Sequence, residues 1–136
     1  MTRNLITVFA ISLCLLVSVA SVSAHHSAAA TYDSTKHITL KGTVTKVEWK
    51  NPHVFYFIDV ADSSGKVTNW AIEASTPNQL YRAGWRKTDL PTGATVTLAD
   101  TSPARNGSAK ASGGKLTLPD GRRLLSGYAG NEGEGQ

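Results

Sequence analysis

Cysteine is almost missing from this chain: of 136 residues only Cys14 is one, and it lies in an apolar stretch near the amino terminus. With no second thiol no internal disulfide can form, so folding has to rest on a packed core. Charge is sparse as well, with 14 Lys+Arg and 10 Asp+Glu scattered along the sequence. Nucleic-acid binding needs a clustered stripe of Lys and Arg, and its lack excludes that class of partner. No Gly-x-Ser-x-Gly elbow, Gly-rich phosphate loop or His-Glu-x-x-His pair occurs, which removes the common hydrolase, nucleotide and zinc-protease signatures. Asp33, Asp59 and Glu73 form no acid/base pair by spacing. No catalytic or cofactor-binding residue is therefore assigned, and an enzyme is not expected unless a metal makes one.

A long apolar run is also lacking. Leu5 to Ala20 is apolar apart from Thr7, Ser12 and Ser18, and it falls short of the roughly 20 residues that span a bilayer. What is present is the pattern of a secretory signal: Arg3 before the run, then small residues at Val22 and Ala24. Cleavage after Ala24 is expected, placing the protein in the periplasm or outside the cell with no stable membrane anchor. Cys14 follows Leu13 with no small residue before it, which argues against a lipoprotein. Losing residues 1–24 removes one basic residue, Arg3, from the 14 and no acidic one, so the processed net charge is +3. What remains is a length suited to one domain. The expected layout is a signal over 1–24, a flexible segment over 25–36 that lies extended on the domain or stays mobile, one β-domain over 37–128, and a Gly/Glu-rich disordered tail over 129–136.

From Ile38 the text alternates with the period of a half-buried strand: Ile38, Leu40, Gly42 and Val44 against Thr39, Lys41, Thr43 and Thr45. The parity then slips, because Val47 and Trp49 continue the apolar series. A slip of one residue predicts a β-bulge near Thr45-Lys46. Asn51-Pro52 turns the chain into a second strand over His53–Val60, and Asp62-Ser63-Ser64-Gly65 turns it into a third over Val67–Ala74. Thr76 as cap, Pro77 as first position and Gly84 as stop predict a two-turn helix, with Leu80 and either Ala83 or Tyr81 inward. A fourth strand follows over Ala94–Ala99. Ser108–Ala111 and Lys115–Leu118 read as a closing hairpin through Gly113-Gly114, and Pro119-Asp120-Gly121 turns again before Leu124-Leu125. A three-stranded meander with a bulged first strand, then a helix, then two or more strands, is the order of an OB-fold. The expected class is all-β with one short helix, an OB-fold-like five-stranded Greek-key barrel. Ile58 should point inward, Trp49 or Trp70 should be largely buried, and Trp85 should plug one barrel end.

Thr39-Leu40-Lys41-Gly42-Thr43-Val44, Glu48-Trp49, Asn51-Pro52-His53, Asn69-Trp70, Glu73 and Pro77-Asn78-x-Leu80-x-Arg82-x-Gly84-Trp85 together form a recurrent set. With the His-His-Ser start and the late Leu118-Pro119-Asp120-Gly121-Arg122, the chain resembles a family of small exported bacterial proteins classed only as a domain of unknown function. The resemblance implies a periplasmic or secreted OB-like domain and assigns neither activity nor ligand.

Cleavage after Ala24 would expose His25 and His26. The amine and Nδ1 of His25 can then close a six-membered chelate ring on a metal. Alternatively, the amine, the amide nitrogen of His26 and its imidazole can wrap one. Nitrogen-rich tetragonal sets favour Cu(II) or Ni(II). His53, at the mouth of the second strand, and His37, just before the first, are candidate further ligands, although a capping or hydrogen-bonded structural role is the more ordinary reading of His53. Metal residues are thus expected at His25, His26 and His53, with copper as the metal. Glu73 is the one strand carboxylate placed to approach His53, although a salt bridge to Arg82 is its more ordinary role. Phe55, Tyr56, Phe57, Trp49 and Trp70 read first as core, with a stacking platform as the alternative. The leading expectation is an exported copper-binding domain with an unidentified ligand or envelope partner. Two readings stay open beside it: a metal-free OB module for a peptide, glycan or envelope protein, and a copper redox protein of histidine-brace type.

Overall fold

The computed structural model describes residues 29–127. The expected signal, His25, His26 and the tail 129–136 lie outside the described residues. Strand β1 (Ile38–Glu48) buries Leu40, Gly42 and Val44 and exposes Lys41, Thr43 and Thr45. It pairs antiparallel with β2 (Phe55–Ala61), and the register shifts by one residue between Val44 and Lys46. That is the bulge the slipped parity predicts, and it bends β1 across the barrel. At Gly42 an added Cβ would collide with the Asp59 carbonyl, so only glycine lets the two backbones approach this closely.

Strand β3 (Val67–Glu73) pairs antiparallel with β2 and completes the meander. The turn between them is set by Asp62, whose carboxylate accepts from Ser64 N at 2.8 Å and Lys66 N at 3.1 Å. Helix α1 (Pro77–Arg82) begins at Thr76 in a reciprocal capping box with Gln79. Leu80 is its buried residue. Tyr81 is instead 59% exposed and Ala83 is exposed too, because a helix this short offers one residue to the core. A second helical segment enters the described residues at 29–31. Among the described residues no helix is long and apolar enough to cross a membrane.

Strand β4 (Thr95–Pro103) returns beside β1 and runs further than its apolar core predicts. Strand β5 (Lys110–Ser112) pairs parallel with β3 and antiparallel with β4, closing a five-stranded barrel in the order β1-β2-β3-β5-β4. This is the OB-like Greek-key architecture. Beyond it, β6 (Lys115–Thr117) pairs with β4, and β7 (Arg123–Leu125) pairs with β6.

The closing hairpin through Gly113-Gly114 is not there. β5 and β6 lie end to end along one edge of β4 in an unbroken register: Ala111↔Pro103 and Ser112↔Ser102, then Lys115↔Ala99 and Leu116↔Leu98. Positive φ at Gly113 and Gly114 kinks the strand without reversing it, opposite Asp100, whose φ is also positive. The hairpin that does form joins β6 to β7 through Pro119-Asp120-Gly121.

Val44, Tyr56, Ile58, Ile72, Leu98 and Leu116 fill the barrel and are fully buried, each stabilising the fold by about 1.5–3 kcal/mol for a side chain of Val, Leu or Ile size. Trp85 is the buried tryptophan. Its indole donates to the Leu125 carbonyl at 2.9 Å and lies tilted against Tyr56. Trp49 and Trp70 only pack against the core from its margin and remain half-buried. The Tyr56 hydroxyl pairs with Ser126 Oγ at 2.9 Å in the interior.

Candidate functional site

Alternation along β2 splits its aromatic residues. Tyr56 and Ile58 enter the core, whereas Phe55 and Phe57 face outward and are half-buried. The register sets the outer face as transverse rows: Glu48, Phe55 and Glu73 in one, and Lys46, Phe57 and Ala71 in the next. The Lys46 ammonium lies 5.3 Å from the centre of the Phe57 ring. Lys46 and Lys50 both bond the Glu48 carboxylate and hold its pKa down to about 2. The aromatics are therefore neither all core nor all platform.

His53 belongs to this same outer face. The β2–β3 ladder continues past Phe55, with Val54 N donating to Ser75 O and Ala74 N donating to Val54 O. His53 therefore stands diagonally across from Glu73, a separation that a long side chain spans. His53 Nδ1 is 2.7 Å from Glu73 Oε1, and the Tyr32 hydroxyl donates to Glu73 Oε2 at 2.6 Å. Both oxygens of one carboxylate are thus engaged by two side chains distant in sequence. Arg82 is not a partner of Glu73, because the carboxylate is turned along the sheet toward His53 and Tyr32. Side-chain exposures of 19% for His53 and 17% for Glu73 place this pair in a shielded environment where such bonds strengthen.

Tyr32 arrives from outside the barrel. It forms a β-bridge with Ala104, flanked by Asp33 N donating to Pro103 O and Arg105 N donating to Thr31 O, each at 2.9 Å. Arg105 Nε also donates to Ala29 O at 3.1 Å. The described part of the 25–36 segment is accordingly held against the β4–β5 connection, and Tyr32 is 7% exposed. Burial, then the bond to Glu73, then the nearby negative charge push the Tyr32 phenol well above the ordinary tyrosine range. It stays protonated and donating. An ionised carboxylate only accepts, so it receives the Nδ1 proton of His53.

A carboxylate that fixes the tautomer and orientation of a histidine is the usual support behind a metal-ligating imidazole. Among the described residues no three His, Cys, Asp or Glu side chains converge as a metal-holding group. Of the histidines predicted as ligands, His53 sits in the Glu73–Tyr32 cluster, while His25 and His26 lie outside the described residues. His37 is exposed at the entry to β1. The sequence offers Glu73 as a carboxylate near His53, beside a salt bridge to Arg82 as its more ordinary role. Tyr32 has no such signal, since its partner is 41 positions away.

A family model described as "Family of unknown function (DUF6152)" matches residues 13–113. The chain belongs to this family. The DUF6152 match takes in Tyr32, His53, Glu73 and Arg105 and stops before β6 and β7. No curated protein and no solved structure matches the chain.

Proposed function

We propose that this DUF6152 member is an exported copper-binding barrel. In this reading, cleavage after Ala24 exposes His25, whose amine and ring nitrogen chelate Cu(II), and His53 supplies a third nitrogen through Nε2. His26 offers a further ring. The protein then works in the periplasm or outside the cell, as a binding protein and not a catalyst. The observation that carries the reading is the Glu73–His53 bond, which commits Nδ1 to the carboxylate. The set of an amine and two imidazoles suits tetragonal Cu(II).

Two measurements test it. Intact mass of exported protein should correspond to a chain beginning at His25. Cu(II) titration followed by electron paramagnetic resonance should then compare this native terminus with a version carrying one extra residue ahead of His25, and with His53→Ala. Both changes should weaken binding, the extension because it removes the free amine from the chelate. Equal affinity in all three forms would reject the copper reading and favour a metal-free binding module.

A further inference from the structure

Helix α1, the loop after it and β7 are tied together by bonds that leave a group of cations facing out. Trp85 donates to the Leu125 carbonyl and so joins the loop to β7. Asp89 accepts from the Arg86 amide at 2.7 Å and from both Nη atoms of Arg122 at 3.1 Å, and Asp120 accepts from Nε of the same Arg122. The two carboxylates of this region thus both serve Arg122. Arg82 in the last turn of α1, Arg86 and Lys87 in the loop, and Arg123 on β7 are exposed. Among the described residues none of these four has a carboxylate partner. The fold therefore gathers cations that are scattered in the sequence.

Arg86 is also held in a fixed pose. Its Nη1 donates to the carbonyls of Tyr81 at 3.2 Å and Trp85 at 2.7 Å, and its guanidinium lies over the Tyr81 ring, 4.2 Å from the centre. Those bonds use the two protons of Nη1. They leave the Nε and Nη2 protons, the edge that meets a phosphate with two parallel bonds. Apolar surface adjoins the cations. Of the three large hydrophobic side chains exposed among the described residues, Tyr81 and Leu125 are two. Leu125 shares the outer face of β7 with Arg123, because Leu124 between them is buried. A soluble anion has no use for the apolar pair. Tyrosine and aliphatic side chains among cations suit the interfacial layer of a bilayer, where headgroup phosphates lie above acyl chains.

We propose that this face docks reversibly on bilayers that contain anionic phospholipid: Arg86 binds a headgroup phosphate through its Nε–Nη2 edge, Arg82, Lys87 and Arg123 are drawn to the surface charge, and Tyr81 and Leu125 enter the interfacial layer. The proposal does not depend on the copper reading. A cation close to such a surface contributes about fivefold in affinity, so binding by so few is salt-sensitive.

Co-sedimentation with vesicles tests it. The protein should pellet with vesicles of equal parts phosphatidylcholine and phosphatidylglycerol, and not with phosphatidylcholine alone. About 1 M salt, where the screening length falls to about 3 Å, should release most of it. Arg82→Gln and Lys87→Gln should each weaken binding by about fivefold. Arg86→Gln should weaken it more, and Arg86→Lys should recover only part, since lysine restores the charge and not the paired donors. Leu125→Ser should weaken binding while leaving its salt dependence unchanged. Lys66→Gln, at the β2–β3 turn, should have no effect. Unchanged near-ultraviolet circular dichroism establishes that each variant is folded, and Lys87→Gln and Leu125→Ser alter exposed side chains with no bond to lose. Equal losses from Lys66→Gln and Lys87→Gln would overturn the proposal by assigning adhesion to net charge alone. Failure to pellet with the anionic vesicles would overturn it too. If inorganic phosphate then shifts the Arg86 Nε–H resonance, the site takes a soluble anion; if polyglutamate binds through the same residues, the face is one for an acidic protein.

Discussion

Replacing Glu73 by glutamine changes almost no volume but removes one of two acceptors. The native carboxylate accepts from His53 Nδ1 at 2.7 Å and from Tyr32 at 2.6 Å. The amide offers one oxygen and an NH₂ that only donates. If the oxygen keeps Tyr32, the NH₂ faces His53 and forces Nδ1 to accept, which moves the ring proton to Nε2. If the oxygen keeps His53, Tyr32 must rotate its hydroxyl to accept and loses its own acceptor. Either way two charge-assisted bonds become one neutral bond and one rearranged contact. A bond to a charged group contributes about 1.5–3 kcal/mol against about 0.5–1.5 for a neutral one. The difference over two bonds, reduced for the partial exposure of His53 and Glu73, is about 1–2 kcal/mol. On a domain of this size that lowers Tm by about 5–10 °C.

Urea melts at pH 7, followed by circular dichroism, measure the stability, and nitrogen-15 spectra of the histidine rings measure the tautomer. Glu73→Gln should also weaken copper binding by about 10–100-fold, because the His53 ring loses the carboxylate that orients it. Glu73→Leu should cost more stability than Glu73→Gln, since it leaves both donors without the carboxylate. An unchanged urea midpoint together with an unchanged His53 tautomer in Glu73→Gln would refute the argument, because then the carboxylate would not be what orients the ring.

Three further outcomes follow from the barrel. Trp85→Phe removes the only donor to Leu125 O from that ring and leaves space beside Tyr56; a loss of about 2–4 kcal/mol in urea melts is expected. Gly114→Ala places a Cβ 2.7 Å from Ala99 O at a φ of +100° and should cost about 3 kcal/mol, whereas Gly121→Ala, at positive φ with open space around it, should cost only about 1–2 kcal/mol. Tyr32 ionises less readily folded than unfolded, its pKa being raised mainly by burial. Its contribution to stability is therefore complete below the unfolded tyrosine pKa of about 10 and is lost as pH climbs toward the folded value. Urea midpoints measured from pH 9 to 11 should fall, and fall less in Tyr32→Phe.

Several parts of the fold are legible because the decision is local. The slip from even to odd parity between Val44 and Val47 is itself the bulge, since one extra residue must leave the ladder for the apolar series to stay inside. Thr76, Pro77 and Gln79 fix the start of α1 through bonds made within four residues. The hairpin error at Gly113-Gly114 has the opposite origin. Two glycines at positive φ serve a reversal and a kink equally well, and nothing in residues 108–118 distinguishes them. The choice lies in β4, which extends to Pro103 and offers one long edge to both segments. The expectation that Trp49 or Trp70 is largely buried failed for a related reason. Trp49, just past the end of β1, and Trp70, on β3, continue apolar alternations, but bulk at a barrel margin is only half covered. Trp85, in a loop without periodicity, is buried as the expected plug, with its indole bonded to the Leu125 carbonyl.

The same contrast explains the candidate site. His53 and Glu73 are separated by one turn and two strands, so a hairpin register read from the apolar pattern already places them diagonally on one face. Only their outward direction needs the buried Val54, Tyr56 and Ile72 between them to be recognised as core. Tyr32 lies in a stretch of small residues with no period, and its place depends on a backbone bridge to Ala104, in the connection between β4 and β5. The carboxylate of Glu73 is the point where two structural levels meet: the meander that fixes His53 by register, and the docked segment that brings Tyr32 to the other oxygen. Local reading finds the first level and has no access to the second.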